Sequence, residues 1–249
     1  DCEMAKQKQL TVEHLWQCER IGTPSVSPDG KWVVVDQTTY SMDTNESATQ
    51  LWMYSTDGNT RKQLTSAGKK NPAPQWSPDG KAIAFCAKRD GDDASQLYVI
   101  ALDGGEARRV TKLSNGVGSI RWFPDSKRIA AISWVWPDLT TDAQQAKRRK
   151  EQKESKVQAK VIEVDNYRYW DSWICDGTRP HLFEINVASG VAKDLFAGKP
   201  WTLGLGDPVR IVDDLVATGG QARGPGFAEG LHSRHVPSRV FQIVSVVVE

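Results

Sequence analysis

An all-β chain of repeated four-stranded antiparallel units is the fold class this sequence predicts, and two recurring motifs with one turn signature predict it. Ser25-Val26-Ser27-Pro28-Asp29-Gly30-Lys31-Trp32-Val33-Val34-Val35 returns as Gln75-Trp76-Ser77-Pro78-Asp79-Gly80-Lys81-Ala82-Ile83-Ala84-Phe85, and again as Arg121-Trp122-Phe123-Pro124-Asp125-Ser126-Lys127-Arg128-Ile129-Ala130-Ala131. The prolines Pro28, Pro78 and Pro124 lie 50 and then 46 residues apart. A second motif, Leu51-Trp52-Met53-Tyr54, Asp57-Gly58 and Gln63-Leu64-Thr65, recurs as Leu97-Tyr98-Val99-Ile100, Asp103-Gly104 and Arg109-Val110-Thr111. Four strands in roughly 45 residues is the period of a propeller blade, whose faces are buried only against neighbouring blades. The predicted architecture is a partial β-propeller of four-stranded antiparallel blades with a helical insertion in the third.

Each element follows from local chemistry. Residues 1–23 form a lead-in segment. In Ser-Pro-Asp-Gly, proline presets φ at the second turn position, while aspartate and glycine supply side-chain bonding and tolerance of positive φ, so the chain reverses there. Stretches of about five residues rich in Val, Ile, Trp and Tyr flank each turn and read as strands, and Asp-Gly further on marks a second hairpin. Blades are expected at about 24–65, 73–112 and 118–196.

The third unit is longer because about 137–161 separates its second and third strands. This segment is glycine-free, helix-favouring and highly charged, and reads as a solvated helix or a mobile arm. Lys147-Arg148-Arg149-Lys150 is followed at helical spacing by Glu151 and Glu154 without interleaved aromatics, which favours a solvated face over a nucleic-acid patch. Beyond it, Tyr167-Arg168-Tyr169-Trp170-Asp171-Ser172-Trp173 is dense in aromatics. Tyr169, Trp170, Asp171 and Trp173 are the candidate substrate-facing residues; the competing reading is that these aromatics cap the blade core under the insertion.

The pattern breaks past Trp201. Every lysine and every tryptophan lies at or before that position, while the tail is glycine-rich, as at Gly219-Gly220 and Gly224-Pro225-Gly226. Residues 202–249 are therefore expected to be a divergent tail, either frame-altered near Gly204 or an incomplete fourth blade. Three blades are too few to close a ring, and an open edge strand is expected to promote self-association.

Bulk properties exclude some classes. Among 249 residues, 25% are charged and they balance to a net +1, which argues against a partner recruited by bulk electrostatics, whether nucleic acid or an anionic membrane. No run of about 18 apolar residues encodes a transmembrane helix. The opening residues lack the apolar region of a signal peptide, so the compartment is periplasmic or secreted if a leader was removed, and otherwise cytoplasmic. Cys2, Cys18, Cys86 and Cys175 lack metal-site or redox spacing, and Cys86 reads as a buried inert thiol; no metal or other cofactor is expected. Pairing of Cys2 with Cys18 in an oxidising compartment stays open.

The opening Leu10-Thr11-Val12-Glu13-His14-Leu15-Trp16, followed by Gly22-Thr23-Pro24 and the first Ser-Pro-Asp-Gly turn, resembles the N-terminal region of prolyl oligopeptidase family serine peptidases of the bacterial dipeptidyl and acylaminoacyl peptidase type. The segment from Tyr169 to Phe183 is similar to the same group, especially proteins of the dipeptidyl peptidase 5 type. The resemblance covers about 10–201. It implies a propeller that gates and positions short peptides for a C-terminal α/β-hydrolase domain carrying a Ser, Asp and His triad. This chain has no Gly-x-Ser-x-Gly elbow for such a nucleophile, so no catalytic residue is assigned, and His14, His181, His232 and His235 read as satisfied or exposed. The alternative is a protein-binding propeller scaffold similar to the Tol-system periplasmic propeller.

Overall fold

The computed structural model describes residues 10–103, 105–157, 159, 176–199 and 203, and the backbone of short strands at 168–169, 172–173, 209–212, 215–218 and 246–247. A short helix, α1 (Val12–Gln17), precedes the first sheet, formed by β1 (Arg20–Ile21), β2 (Ser25–Val26), β3 (Trp32–Ser41), β4 (Glu46–Ser55) and β5 (Arg61–Gln63). Strands β1 and β2 both pair with β3, at Gln37–Thr38 and Val33–Val34. Gly22 lies between them, and a Cβ there would fall within 2.4 Å of the Asp36 carboxylate, so a larger residue would have to displace that side chain.

The second sheet runs β6 (Gln75–Trp76), β7 (Ala82–Ala87), β8 (Gln96–Ala101), β9 (Arg108–Arg109). The third runs β10 (Gly118–Trp122), β11 (Arg128–Val135), β14 (Arg179–Asn186), β15 (Ala192–Asp194). Between β11 and β14 the chain inserts α2 (Asp142–Glu154) and a hairpin of β12 (Arg168–Tyr169) and β13 (Ser172–Trp173). Strands β16 (Val209–Val212), β17 (Leu215–Thr218) and β18 (Val246–Val247) form one further sheet. The register is the same in the three repeats: Ser25 opposes Val34, Gln75 opposes Ala84 and Arg121 opposes Ala130. This is the propeller-like, all-antiparallel architecture expected from the repeats.

The turn chemistry repeats as well. Ser27 Oγ donates to Asp29 Oδ1 at 2.6 Å and accepts from the Trp32 N–H at 2.9 Å, while Gly30, at φ +71°, donates to the Ser27 carbonyl. Ser77, Asp79 and Gly80 reproduce this with 2.6 and 3.0 Å bonds and φ +70°. The serine hydroxyl holds each aspartate's carboxyl below its ordinary range.

The third copy departs from the consensus twice. Phe123 replaces the serine and is fully buried with Ala130, Leu182 and Phe196. Asp125 is engaged instead by Arg128, whose Nε donates at 2.6 Å. Ser126 replaces glycine at φ +55°, and its hydroxyl accepts the Asp79 N–H of the neighbouring turn at 3.0 Å. A left-handed non-glycine residue carries a conformational cost; the inter-sheet bond offsets it. We expect Ser126→Ala, which keeps the strain and loses the acceptor, to cost about 1 kcal/mol in urea unfolding. Ser126→Gly loses the same bond but relieves the strain, and equal losses for the two variants would contradict this account.

Tryptophans join the sheets. Trp76 Nε1 donates to the Ser25 carbonyl at 3.0 Å, and Trp122 Nε1 donates to the Gln75 carbonyl at 3.1 Å. Each indole reaches from the innermost strand of one sheet to the corresponding residue of the preceding one. Val34, Leu51, Trp76, Ile83, Phe85 and Tyr98 fill the first seam, and Leu97, Ile120, Trp122 and Ile129 belong to the second.

Candidate substrate-facing surface

The antiparallel registers place the Ser-Pro-Asp-Gly turns at one face of the row of sheets. At the opposite face lie the loops that join β3 to β4, β7 to β8 and β11 to β14. The helical insertion belongs to this loop face.

Helix α2 is docked rather than free. Thr141 caps it with a capping box to Gln144, and Asp142 in its first turn accepts from the Ser114 N–H at 2.9 Å and the Ser114 hydroxyl at 2.8 Å. A carboxylate there also complements the helix dipole. Gln145 is the helix's buried anchor: its Oε1 accepts from the Trp136 N–H and the Asn115 amide, and its Nε2 donates to the Trp136 and Leu139 carbonyls. Apart from Arg148 and Arg149, which are half-buried, the other helix residues are exposed, in keeping with the charge pattern.

The basic run is already occupied. Arg148 pairs with Asp138 through bonds of 2.9 and 2.8 Å, and Arg149 donates to the Ser114 carbonyl at 2.7 Å. Lys147 and Lys150 sit 4.0 and 3.9 Å from Glu151 and Glu154.

Behind the loops, a polar clamp repeats in a way the motifs only partly revealed. Gln50 Oε1 accepts the Thr65 hydroxyl at 2.7 Å while its Nε2 donates to the Gly68 carbonyl at 2.8 Å. Gln96 Oε1 accepts the Thr111 hydroxyl at 2.8 Å while its Nε2 donates to the Leu113 carbonyl at 2.8 Å. Each glutamine thus ties a sheet to the segment leading to the next.

In the third sheet His181 takes the glutamine's place, 2% exposed, with Nδ1 at 2.8 Å from Asp194 Oδ2 and its ring against Phe196. His181 Nε2 is buried and has no hydrogen-bond partner, so the pair has a histidine–carboxylate geometry without a hydroxyl to activate. His14 is exposed and accepts the Thr11 N–H at its helix start. His232 and His235 lie outside the described residues.

The loop joining β7 to β8 carries a second network. Asp92, with a side chain 1% exposed, accepts from the Tyr98 hydroxyl at 2.6 Å, from Arg109 at 2.5 Å and from the Arg89 N–H at 3.1 Å. Burial works against its charge, but these bonds outweigh it and hold the carboxyl below its ordinary range. Burial and the neighbouring carboxylate push the Tyr98 phenol up to about 12. Sequence reasoning passed over this network, whose members are split between a loop and two strands.

Of the residues proposed to face substrate, Tyr169 and Trp173 lie in the two strands of the hairpin, opposite Ser172 and Arg168 respectively. Trp170 and Asp171 lie outside the described residues. Desolvation raises the Cys86 thiol to about 12, in keeping with an inert core cysteine. Cys18 is a free, exposed thiol, and Cys2 and Cys175 lie outside the described residues. Among the described residues, no helix is long and apolar enough to cross a membrane.

Four-stranded sheets joined face to face, inner-strand tryptophans and a repeated Ser-Pro-Asp-Gly turn define a propeller protein. The chain belongs to the PD40 family, TolB beta propeller domain, whose model matches residues 7–158. It is similar to dipeptidyl-peptidase 5 of Porphyromonas gingivalis, with 34% identity over 199 residues, covering 78% of this chain and 27% of that protein. Dipeptidyl-peptidase 5 of Porphyromonas endodontalis is 31% identical over 200 residues, covering 79% of this chain and 28% of that protein. The chain thus spans little more than a quarter of the length of these curated relatives. An acylaminoacyl peptidase solved in complex with Z-Gly-Gly-Phe-chloromethyl ketone shares the fold at a TM-score of 0.56 and 16% identity, over 80% of this chain and 28% of that one. The Pyrococcus horikoshii acylaminoacyl peptidase does so at 0.56 and 18%, over 82% and 28%.

Proposed function

We propose that this chain is the non-catalytic propeller part of a serine exopeptidase of the dipeptidyl or acylaminoacyl peptidase type, which gates and positions short peptides for a hydrolase domain. The observation that carries the reading is the similarity to dipeptidyl-peptidase 5 along 78% of this chain. In this reading the units at 24–65, 73–112 and 118–196 are blades. Residues 202–249 contribute an incomplete fourth blade, a placement supported by β16 lying against β10 as β10 lies against β6. Tyr169, Trp170, Asp171 and Trp173 face the peptide, the aromatics by stacking and the carboxylate by pairing with a peptide amine.

A partner surface fits the same reading. In the first sheet Val26 stands where Trp76 and Trp122 stand in the others, and it is 56% exposed; Ile21, also paired to β3, is 65% exposed. That sheet face is left open for a further blade or a second copy. The outermost strands β5, β9 and β15 are instead short and charged, which blunts edge pairing. We therefore place any self-association at the open face rather than at an edge strand.

The test is a tryptophan-fluorescence titration of the full chain with short peptides bearing free amino termini. Saturable quenching is expected, with affinity falling roughly tenfold in Trp170→Ala and in Asp171→Asn. No saturable quenching, or quenching indifferent to both substitutions, contradicts the assignment of these residues. The match to the TolB propeller family model favours one competing reading, a scaffold for folded protein partners; binding of a folded protein without peptide binding would select it.

A further inference from the structure

Both ends of the insertion between β11 and β14 meet one residue. Trp136 follows directly on β11 and is 5% exposed. Its indole Nε1 donates to the Asp176 carbonyl at 2.9 Å, where the chain returns from the hairpin of β12 and β13. A Cβ on Gly177 would lie 3.5 Å from Trp136 Cδ1, so the returning backbone passes against the indole edge. The Asp176 carboxylate accepts from the Thr178 N–H at 2.9 Å and the Thr178 hydroxyl at 2.8 Å, which fixes the turn into β14.

The backbone of Trp136 holds the helical limb. Its N–H donates to Gln145 Oε1 at 3.0 Å, and its carbonyl accepts from Gln145 Nε2 at 2.9 Å. A primary amide has two donors and can accept twice, and Gln145 uses all four on Trp136, Leu139 and Asn115. Arg148, one turn on, lies 5.6 Å from the Trp136 ring centre and pairs with Asp138. Helix α2 and the return of the chain are thus stapled to one indole residue.

The staple is separate from the packing of the sheets. Trp136 is buried yet belongs to none of the three apolar clusters. The hairpin, by contrast, has little else to orient it. Strands β12 and β13 are two residues each, and among the described residues they pair only with one another. An isolated hairpin is marginal in water, so its direction depends on what holds its ends, and β13 closes at Trp173, just before Asp176.

We infer, on the basis of the peptide-positioning reading, that Trp136 and Gln145 are positioning residues. They touch no peptide, and they fix the hairpin bearing Tyr169, Trp170, Asp171 and Trp173 at the loop face.

The experiment compares the wild type, Trp136→Phe and Gln145→Ala as full chains. Trp136→Phe keeps a ring for Arg148 and loses the donor to Asp176; Gln145→Ala releases the helical limb. Amide hydrogen exchange without peptide is expected to quicken roughly fivefold or more at residues 168–173 in both, with the Ser-Pro-Asp-Gly turns unchanged. Calorimetric titration with the amide of Gly-Gly-Phe is expected to show affinity falling roughly fivefold in each variant. Ser126→Ala, which loses an inter-sheet bond on the turn face, controls for lost stability alone and is expected to bind as the wild type does. Unchanged exchange at 168–173, or an equal loss of affinity in Ser126→Ala, overturns the positioning role. Quickened exchange with unchanged affinity also overturns it, while leaving the peptide reading in place. A wild type that binds no tripeptide overturns that reading and the positioning role together. Should Gln145→Ala not fold, Trp136→Phe decides.

Discussion

Trp76→Ala is expected to lower the stability of this chain by about 3–5 kcal/mol, the cost of emptying a large aromatic site in a packed core. Trp76 is 8% exposed and fills the seam between the first two sheets with Val34, Leu51, Ile83, Phe85 and Ile100. Its indole also closes the bond to the Ser25 carbonyl. Trp76→Phe keeps most of the apolar contact but leaves that carbonyl without its donor, so about 1–2 kcal/mol is expected to be lost. Since a domain is stable by only about 5–15 kcal/mol, the alanine variant should lose a large fraction of its stability. Urea unfolding followed by far-ultraviolet circular dichroism measures both. Equal losses for the two variants, or a loss below about 1 kcal/mol for alanine, would show that the sheets are not held together in this way.

Asp92→Ala is expected to cost about 2–4 kcal/mol, because the Tyr98 hydroxyl and the Arg89 N–H both lose their acceptor. The network also sets a pH dependence. The Asp92 carboxyl is held below its ordinary range in the folded chain, so its contribution is fully present above about pH 4 and is lost as the pH falls through the folded value. Tyr98 acts with the opposite sign. With its phenol pushed up to about 12, its contribution is present below the ordinary tyrosine value and fades as the pH rises toward that number. Denaturant midpoints from pH 2.5 to 7 should show a steeper acid loss in the wild type than in Asp92→Asn; identical acid limbs would exclude Asp92 as a contributor.

The repeat and its turns were legible because a blade needs the same φ angles and the same strand register every time. Ser27, Asp29 and Gly30 and their counterparts state that need openly. The inner-strand tryptophans were equally visible, but their partners were not, since Trp76 bonds a carbonyl 51 residues away. Phe123 and Ser126 depart from the repeated turn. They are substitutions whose compensation lies elsewhere, in the core cluster around Phe196 and in the neighbouring turn at Asp79.

Helix α2 was legible from its composition, yet its docking depends on Gln145, a polar residue that periodicity places on a solvated face. The Asp92, Tyr98 and Arg109 network escaped for a related reason. Buried charge is recognised only when its partners are brought together by tertiary structure, and these three come from a loop and two strands. His181 is a third case, since nothing local reveals that it stands where two glutamines stand in the preceding sheets.

Hydrogen–deuterium exchange of the full chain, with and without a saturating short peptide bearing a free amino terminus, tests the peptide-positioning reading most directly. That reading predicts slowed exchange on the loop face, at the hairpin of Arg168–Trp173 and the loop after β7, with the Ser-Pro-Asp-Gly turns unchanged. Exchange unaltered by peptide, but slowed at the loop face by a folded protein partner, would contradict it.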